Sequence, residues 1–139
     1  MVTPRLKMLF ALSVPLFIAH GIEELLTSFY AIDSHVAFVF GRLQPLLSLQ
    51  TSFLILQLVF WTFLVIAYFV LRADRFILPL LLFVGVLYVY ELHHLLKTFQ
   101  AGSYYPGLAT AIPLYMIGVL YWWELLGSRL KWRTAGKNI

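Results

Sequence analysis

The length of its apolar runs most constrains what this chain can fold into. Four stretches, about 8–30, 49–71, 76–96 and 107–126, are long and carry few charges. About 20 consecutive apolar residues carry a helix across the hydrocarbon core of a bilayer. There every backbone polar group must be satisfied within the protein, which favours helices over open strands. The expected fold is therefore all-α: a four-transmembrane-helix bundle, one domain over residues 1–139. Composition agrees, since 62% of the residues are hydrophobic and 12% charged, about half the charge of a soluble domain. Too little polar surface is left to cover a water-soluble globule. The chain has no cysteine, which excludes disulfides and thiolate chemistry.

The net charge of +4 would suit nucleic acid if it were clustered. Instead the basic residues fall at the ends of apolar runs, where they act as topology signals and headgroup contacts. The expected partners are membrane lipids, and no nucleic acid. With the N-terminus inside, the inner segments hold Arg5, Lys7, Arg72, Arg75, Arg129, Lys131, Arg133 and Lys137, against Arg42 and Lys97 outside. The positive-inside rule then predicts an N-in/C-in bundle with both termini cytoplasmic. The first run begins with a basic stretch, but its apolar part continues past His20 and no A-x-A site precedes a polar region. It reads as a retained helix, not a cleaved signal. Residues 72–75, "RADR", predict a tight turn that makes the second and third helices antiparallel neighbours. Residues 31–48 are half apolar and predict an outer loop that lies on the surface or folds over the bundle. Pro15, Pro79 and Pro113 fall inside the predicted spans, where a bundle tolerates them as kinks.

The ionisable residues inside the spans carry the functional signal. Each central charge costs at least roughly 2.5–3.5 kcal/mol on insertion scales, so such groups mark functional sites by default. The first span carries His20, Glu23 and Glu24 in "FIAHGIEELL". The third carries Glu91, His93 and His94 in "ELHH". At about 100° per residue, Glu23 and Glu24 flank His20 on one face, and Glu91 and His94 share a face at i and i+3. Both helices run outward, and the two clusters agree in depth within about one helical turn, in the outer half of the bilayer. Gln50, Thr51 and Gln57 from the second span, and Tyr104, Tyr105 and Thr110 near the start of the fourth, approach the same layer.

Glu-x-x-His is a metal-ligand spacing of bundle helices. The candidate metal ligands are His20, Glu23, Glu24, Glu91 and His94, an oxygen and nitrogen set that suits zinc, iron or manganese. A divalent metal ion would offset the buried carboxylates. The candidate catalytic groups are Glu23 or Glu24 as general base, with Tyr104 or Tyr105 as donor to a developing oxyanion. The expected activity is a metal-dependent membrane enzyme, hydrolase or oxidoreductase, acting on an apolar, lipid-like small molecule. Two other readings use the same residues. One is a metal-free acid-base isomerase. The other is a proton or metal-ion carrier or binding protein, for which four spans are few unless the chain forms a homo-oligomer. A purely structural reading makes these residues hydrogen-bonded glue between helices. His93 reads as an interhelical partner, and His35 with Asp33 as a solvated loop pair. Glu124, at the inner end of the fourth span, reads as an interfacial ion pair with Arg72, Arg75 or Arg129.

"HGIEE" at 20–24, "ELHH" at 91–94 and "YYPGLATAIPLYM" at 104–116, in that order, resemble the HXXEE family of small prokaryotic membrane proteins. The resemblance spans most of the chain. It implies a site at His20, Glu23, Glu24 and His94 with the Pro106–Gly107 lead-in to the last span, and a home in a prokaryotic inner (plasma) membrane. It implies no reaction, and Glu91 rests on the spacing argument alone.

Overall fold

The computed structural model describes the backbone of residues 2–73 and 78–135, and side chains as far as Gly127. Its elements are α1 (Pro4–Leu26), α2 (Phe29–Ile32), α3 (Ser34–Phe40), a 3-10 turn (Gly41–Leu43), α4 (Leu49–Arg72), α5 (Leu78–Tyr90), α6 (Leu92–Ala101) and α7 (Leu108–Ala135). Among the described residues, four helices are long and apolar enough to cross a membrane: Pro4–Leu26, Leu49–Arg72, Leu78–Ala101 and Leu108–Gly127.

Local chemistry sets the ends of these spans. Thr3 opens α1 by accepting from the Leu6 N–H at 3.1 Å, with Pro4 in the first turn, where its missing donor costs nothing. The helix was expected to reach Tyr30 and stops at Leu26. The Thr27 hydroxyl donates back to the Glu23 carbonyl at 2.7 Å, and Ser28 turns left-handed at φ 56°. Ser48 caps α4 by accepting from the Thr51 N–H at 3.1 Å. Gln50 and Thr51 are consequently exposed at that helix start and do not join the polar layer. Pro79 lies in the first turn of α5, whereas Pro15 and Pro113 lie within their helices.

The third span is broken at Glu91. The His94 N–H donates to the Glu91 carbonyl at 3.2 Å, a three-residue closure, and the Tyr115 hydroxyl donates to the same oxygen at 2.6 Å. The freed carbonyl is satisfied by a neighbouring span, as a buried break requires.

α1 packs its backbone against α4 and α7, and α5 and α6 pack against α7. Among the described residues the second and third spans are neighbours through side chains more than through their backbones. Phe63 and Phe83 meet edge-on at 5.4 Å between them. Residues 74 and 75 of the proposed turn lie outside the described residues. The half of the bundle that holds the N-terminus has an apolar core around Leu6, Phe10, Phe17, Leu64, Leu71, Leu114 and Leu125. Its buried Tyr121 donates to the Leu81 carbonyl at 2.9 Å, and the Tyr88 hydroxyl is bonded to Ser13.

Glu124 stands at that same end, with Thr3 and Arg5 as its described partners. The Thr3 hydroxyl donates to it at 2.7 Å, and Arg5 lies 3.9 Å away. Of the cations expected beside it, Arg75 and the Arg129 side chain lie outside the described residues.

The loop between the first two spans folds over the opposite end. Phe29 and Val36 pack with Phe53 and Tyr105. Asp33 was expected to be solvated and is buried. It caps α3 by accepting from the His35 and Val36 N–H groups at 2.8 and 3.2 Å, and it accepts the Tyr105 hydroxyl at 2.7 Å. Burial alone would raise this carboxyl, but the hydrogen bonds outweigh it and hold the group below the usual aspartate range. His35 points outward, 3.6 Å from Asp33.

Candidate metal centre

Two turns of α1 and the first turn of α6 face each other near one end of the bundle. Three buried groups, His20, Glu91 and His94, bring one ligand atom each into mutual contact. His20 Nε2 lies 2.9 Å from Glu91 Oε2 and 3.2 Å from His94 Nε2, and His94 Nε2 lies 3.4 Å from Glu91 Oε2. A tetrahedral ion with bonds of about 2.0–2.1 Å holds its ligand atoms about 3.3–3.4 Å apart. The triangle therefore has nearly the edge lengths of a coordination face, and its nitrogen and oxygen atoms suit a borderline divalent ion. These three residues have the geometry to hold a metal ion.

Glu24 stands beside the triangle. Its Oε1 is 3.2 Å from His94 Nε2 and 3.7 Å from His20 Nε2. Its other oxygen accepts the Gln57 amide at 2.8 Å. That bond requires α4 to come close to α1, and Gly21 makes it possible. A Cβ at Gly21 would stand 2.5 Å from the Gln57 side chain.

The His94 ring is fixed from behind. Its Nδ1 lies 2.6 Å from the Pro106 carbonyl, which can only accept, so Nδ1 carries a hydrogen. In the neutral ring Nε2 then presents a lone pair to Glu24, Glu91 and His20. A backbone carbonyl behind a ligand imidazole is the usual outer-shell arrangement at metal sites. Gly107 closes the wall. At φ 87° it adopts a conformation that side chains rarely do, and a Cβ there would lie 2.6 Å from the His94 ring and 2.9 Å from the His20 ring. Phe29 covers the outer side, with its ring 5.1 Å from that of His94.

Glu23 serves elsewhere. It accepts the N–H groups of Ala109 and Thr110 at 3.1 and 2.8 Å, together with the hydroxyls of Thr110 and Tyr104. These are the first free donors of α7, and an anion there is favoured by the helix terminus. The two adjacent glutamates thus face different spans. Burial and the Glu23 carboxylate push the Tyr104 hydroxyl up to about 12. Burial and then Asp33 push Tyr105 up as well. Both tyrosines are donors at neutral pH, and both hydroxyls are engaged with those carboxylates.

His93 stacks on His94 with ring centres 3.9 Å apart and places Nδ1 3.0 Å from the Tyr90 carbonyl. It takes no part in the triangle. Sequence spacing pointed to His20, Glu23, Glu24, Glu91 and His94, and of these Glu23 is turned away to α7. That spacing did not reveal the Pro106 carbonyl as an anchor, the Gln57–Glu24 bond, or the space that Gly107 leaves. The only sequence trace of the last is a glycine directly after a proline.

The family described as "Protein of unknown function with HXXEE motif" matches this chain over residues 11–122. The chain belongs to the HXXEE family. In this member the motif reads His20-Gly21-Ile22-Glu23-Glu24, so it supplies one corner of the triangle, the flanking carboxylate and the brace on α7. Comparison with curated proteins and with solved structures finds no match.

Proposed function

We propose that this HXXEE protein is a metal-dependent membrane enzyme, a hydrolase or oxidoreductase, whose ion is held by His20, Glu91 and His94. The observation that carries this reading is the triangle of two imidazole nitrogens and a carboxylate oxygen with edges of 2.9–3.4 Å. Zinc, iron and manganese all suit this donor set. When bound, such an ion supplies Lewis acidity and a lowered water pKa near neutrality.

The chain's own residues do the rest. Glu24 offers Oε1 as a proton acceptor beside the ion, while Gln57 holds Oε2 and so fixes the direction in which Oε1 points. Pro106 holds the His94 ring, and Phe29 with the outer loop limits water. The substrate in this reading is apolar or lipid-like and arrives from the bilayer. Positive-inside counting supports an orientation with both termini in the cytoplasm of a prokaryotic cell and the site in the outer half of the membrane.

The test is elemental analysis of protein purified without chelators. The expected result is close to one equivalent of zinc, iron or manganese in the native protein and none in His20→Ala. Native protein without metal, still active in the presence of chelator, would overturn it.

A second reading keeps the cluster and omits the ion. The 2.9 and 3.2 Å ring-to-carboxylate separations are also charge-assisted hydrogen-bond lengths, which suits a histidine–glutamate proton shuttle in an isomerase. Chelator-insensitive activity lost in Glu24→Gln is its distinguishing result.

A further inference from the structure

Glu23 and Glu24 are both in the family motif, yet only Glu24 borders the triangle. The bonds around Glu23 point to a different task. A carboxylate only accepts, and the Thr110 hydroxyl has one hydrogen. That hydrogen lies on the bond to Glu23 Oε2; the alternative acceptor, the Gly107 carbonyl, is 3.4 Å away. The same Thr110 oxygen lies 2.9 Å from His20 Nδ1. With its hydrogen committed, it accepts there, so His20 must carry its hydrogen on Nδ1. In the neutral ring Nε2 then has no hydrogen of its own and faces Glu91 Oε2 at 2.9 Å and His94 Nε2 at 3.2 Å, an arrangement that needs a cation between these atoms.

We propose that Glu23 is a positioning residue that acts through Thr110. It fixes His20 in the Nδ1–H form and so turns the Nε2 lone pair toward the ion. The purpose of this relay, with a bare lone pair on Nε2, rests on the metal reading above; the hydrogen on Nδ1 rests on the Thr110 contact alone. The two histidines are then set by two different anchors, a backbone carbonyl for His94 and a hydroxyl backed by a carboxylate for His20. Two ring lone pairs facing each other at 3.2 Å repel, and a cation between them removes the repulsion. Outer-shell partners of this kind typically change metal affinity by about 10–100-fold.

The experiment uses the full chain in detergent with 15N-labelled histidine. Long-range proton–nitrogen correlation reports the ring tautomer in metal-free protein, and zinc titration reports affinity. Native protein and Thr110→Ser are expected to show His20 as Nδ1–H. Thr110→Val removes the acceptor, and Glu23→Gln supplies an amide donor that lets the Thr110 hydroxyl turn toward the ring. Both are expected to raise the Nε2–H fraction and to weaken zinc by about 10–100-fold. Tyr104→Phe removes a Glu23 bond without touching Thr110, and the tautomer is expected to stay unchanged. If Thr110→Val leaves both the His20 tautomer and the zinc affinity as in the native protein, the proposal is overturned. If the native protein binds no zinc but its tautomer still depends on Thr110, the relay stands and the metal reading fails.

Discussion

The two ends of the bundle handle buried polarity in opposite ways. The end with the N-terminus is filled by Leu6, Phe10, Leu64, Leu71 and Leu125, and its one described acidic group, Glu124, sits at the rim with Thr3 and Arg5. The other end buries His20, Glu24, Glu91 and His94 together and has only a small apolar cluster around Phe29. Apolar packing needs only volume and tolerates repacking. A buried ionisable layer needs every member in place, because removing one partner leaves the others unpaired. The first end is held by apolar packing, and the second depends on mutually partnered polar groups.

The sharpest way to break this contrast is to truncate one residue at each end. His94→Ala is expected to remove bound metal and to cost about 3–5 kcal/mol, the range for breaking a buried ion pair. Phe10→Ala is expected to cost a similar 3–5 kcal/mol through its cavity, yet to leave metal stoichiometry unchanged. Denaturation in detergent together with elemental analysis reads both; equal loss of metal in the two variants would erase the distinction. Gly107→Ala comes next. Its methyl meets both rings and its φ disfavours a side chain, so a loss of about 1–3 kcal/mol and weakened metal binding are expected.

Asp33 tests the loop over the site by pH. Its folded pKa is lowered. Its contribution is therefore complete above the ordinary aspartate value of about 3.9 and is lost as pH falls through the lowered folded value. The Tm gap between native protein and Asp33→Asn should be widest at neutral pH and should close in acid; a gap independent of pH would contradict this. Glu124→Gln is expected to have the smallest effect, about 1 kcal/mol or less, with unchanged metal content.

Much of this was legible in the sequence, for physical reasons. Four long apolar runs have few folds open to them, and ionisable groups at matched depth on parallel helices must either meet or be paid for separately. His20, Glu24, Glu91 and His94 followed from helical period and rise alone. Glu23 was expected among the ligands and instead faces α7, because a 100° step from Glu24 decides which span it meets, and that depends on where α7 begins. The early end of α1 at Leu26 has no strong signal; threonine and serine become a stop only through the Thr27 back-bond and the turn at Ser28. A short connection constrains chain ends but not how closely two backbones approach, so the Phe63–Phe83 contact between the second and third spans could not be read from it. The Asp33–Tyr105 bond links residues 72 apart in sequence, and no local pattern marks it.

The position of the ligands along the chain also bears on how the protein is made. His20 meets His94 74 residues later, and Glu23 meets Thr110 87 residues later. At about 5–20 residues per second, the first helix waits roughly 4–17 seconds in the membrane before its partners have been synthesised. Its His20, Glu23 and Glu24 lie near its C-terminal end, toward the headgroups, where water can reach them during that interval. A nascent chain without the last span lacks the Thr110 and Ala109 donors to Glu23 and the Pro106 carbonyl behind His94, and so carries an incomplete polar layer.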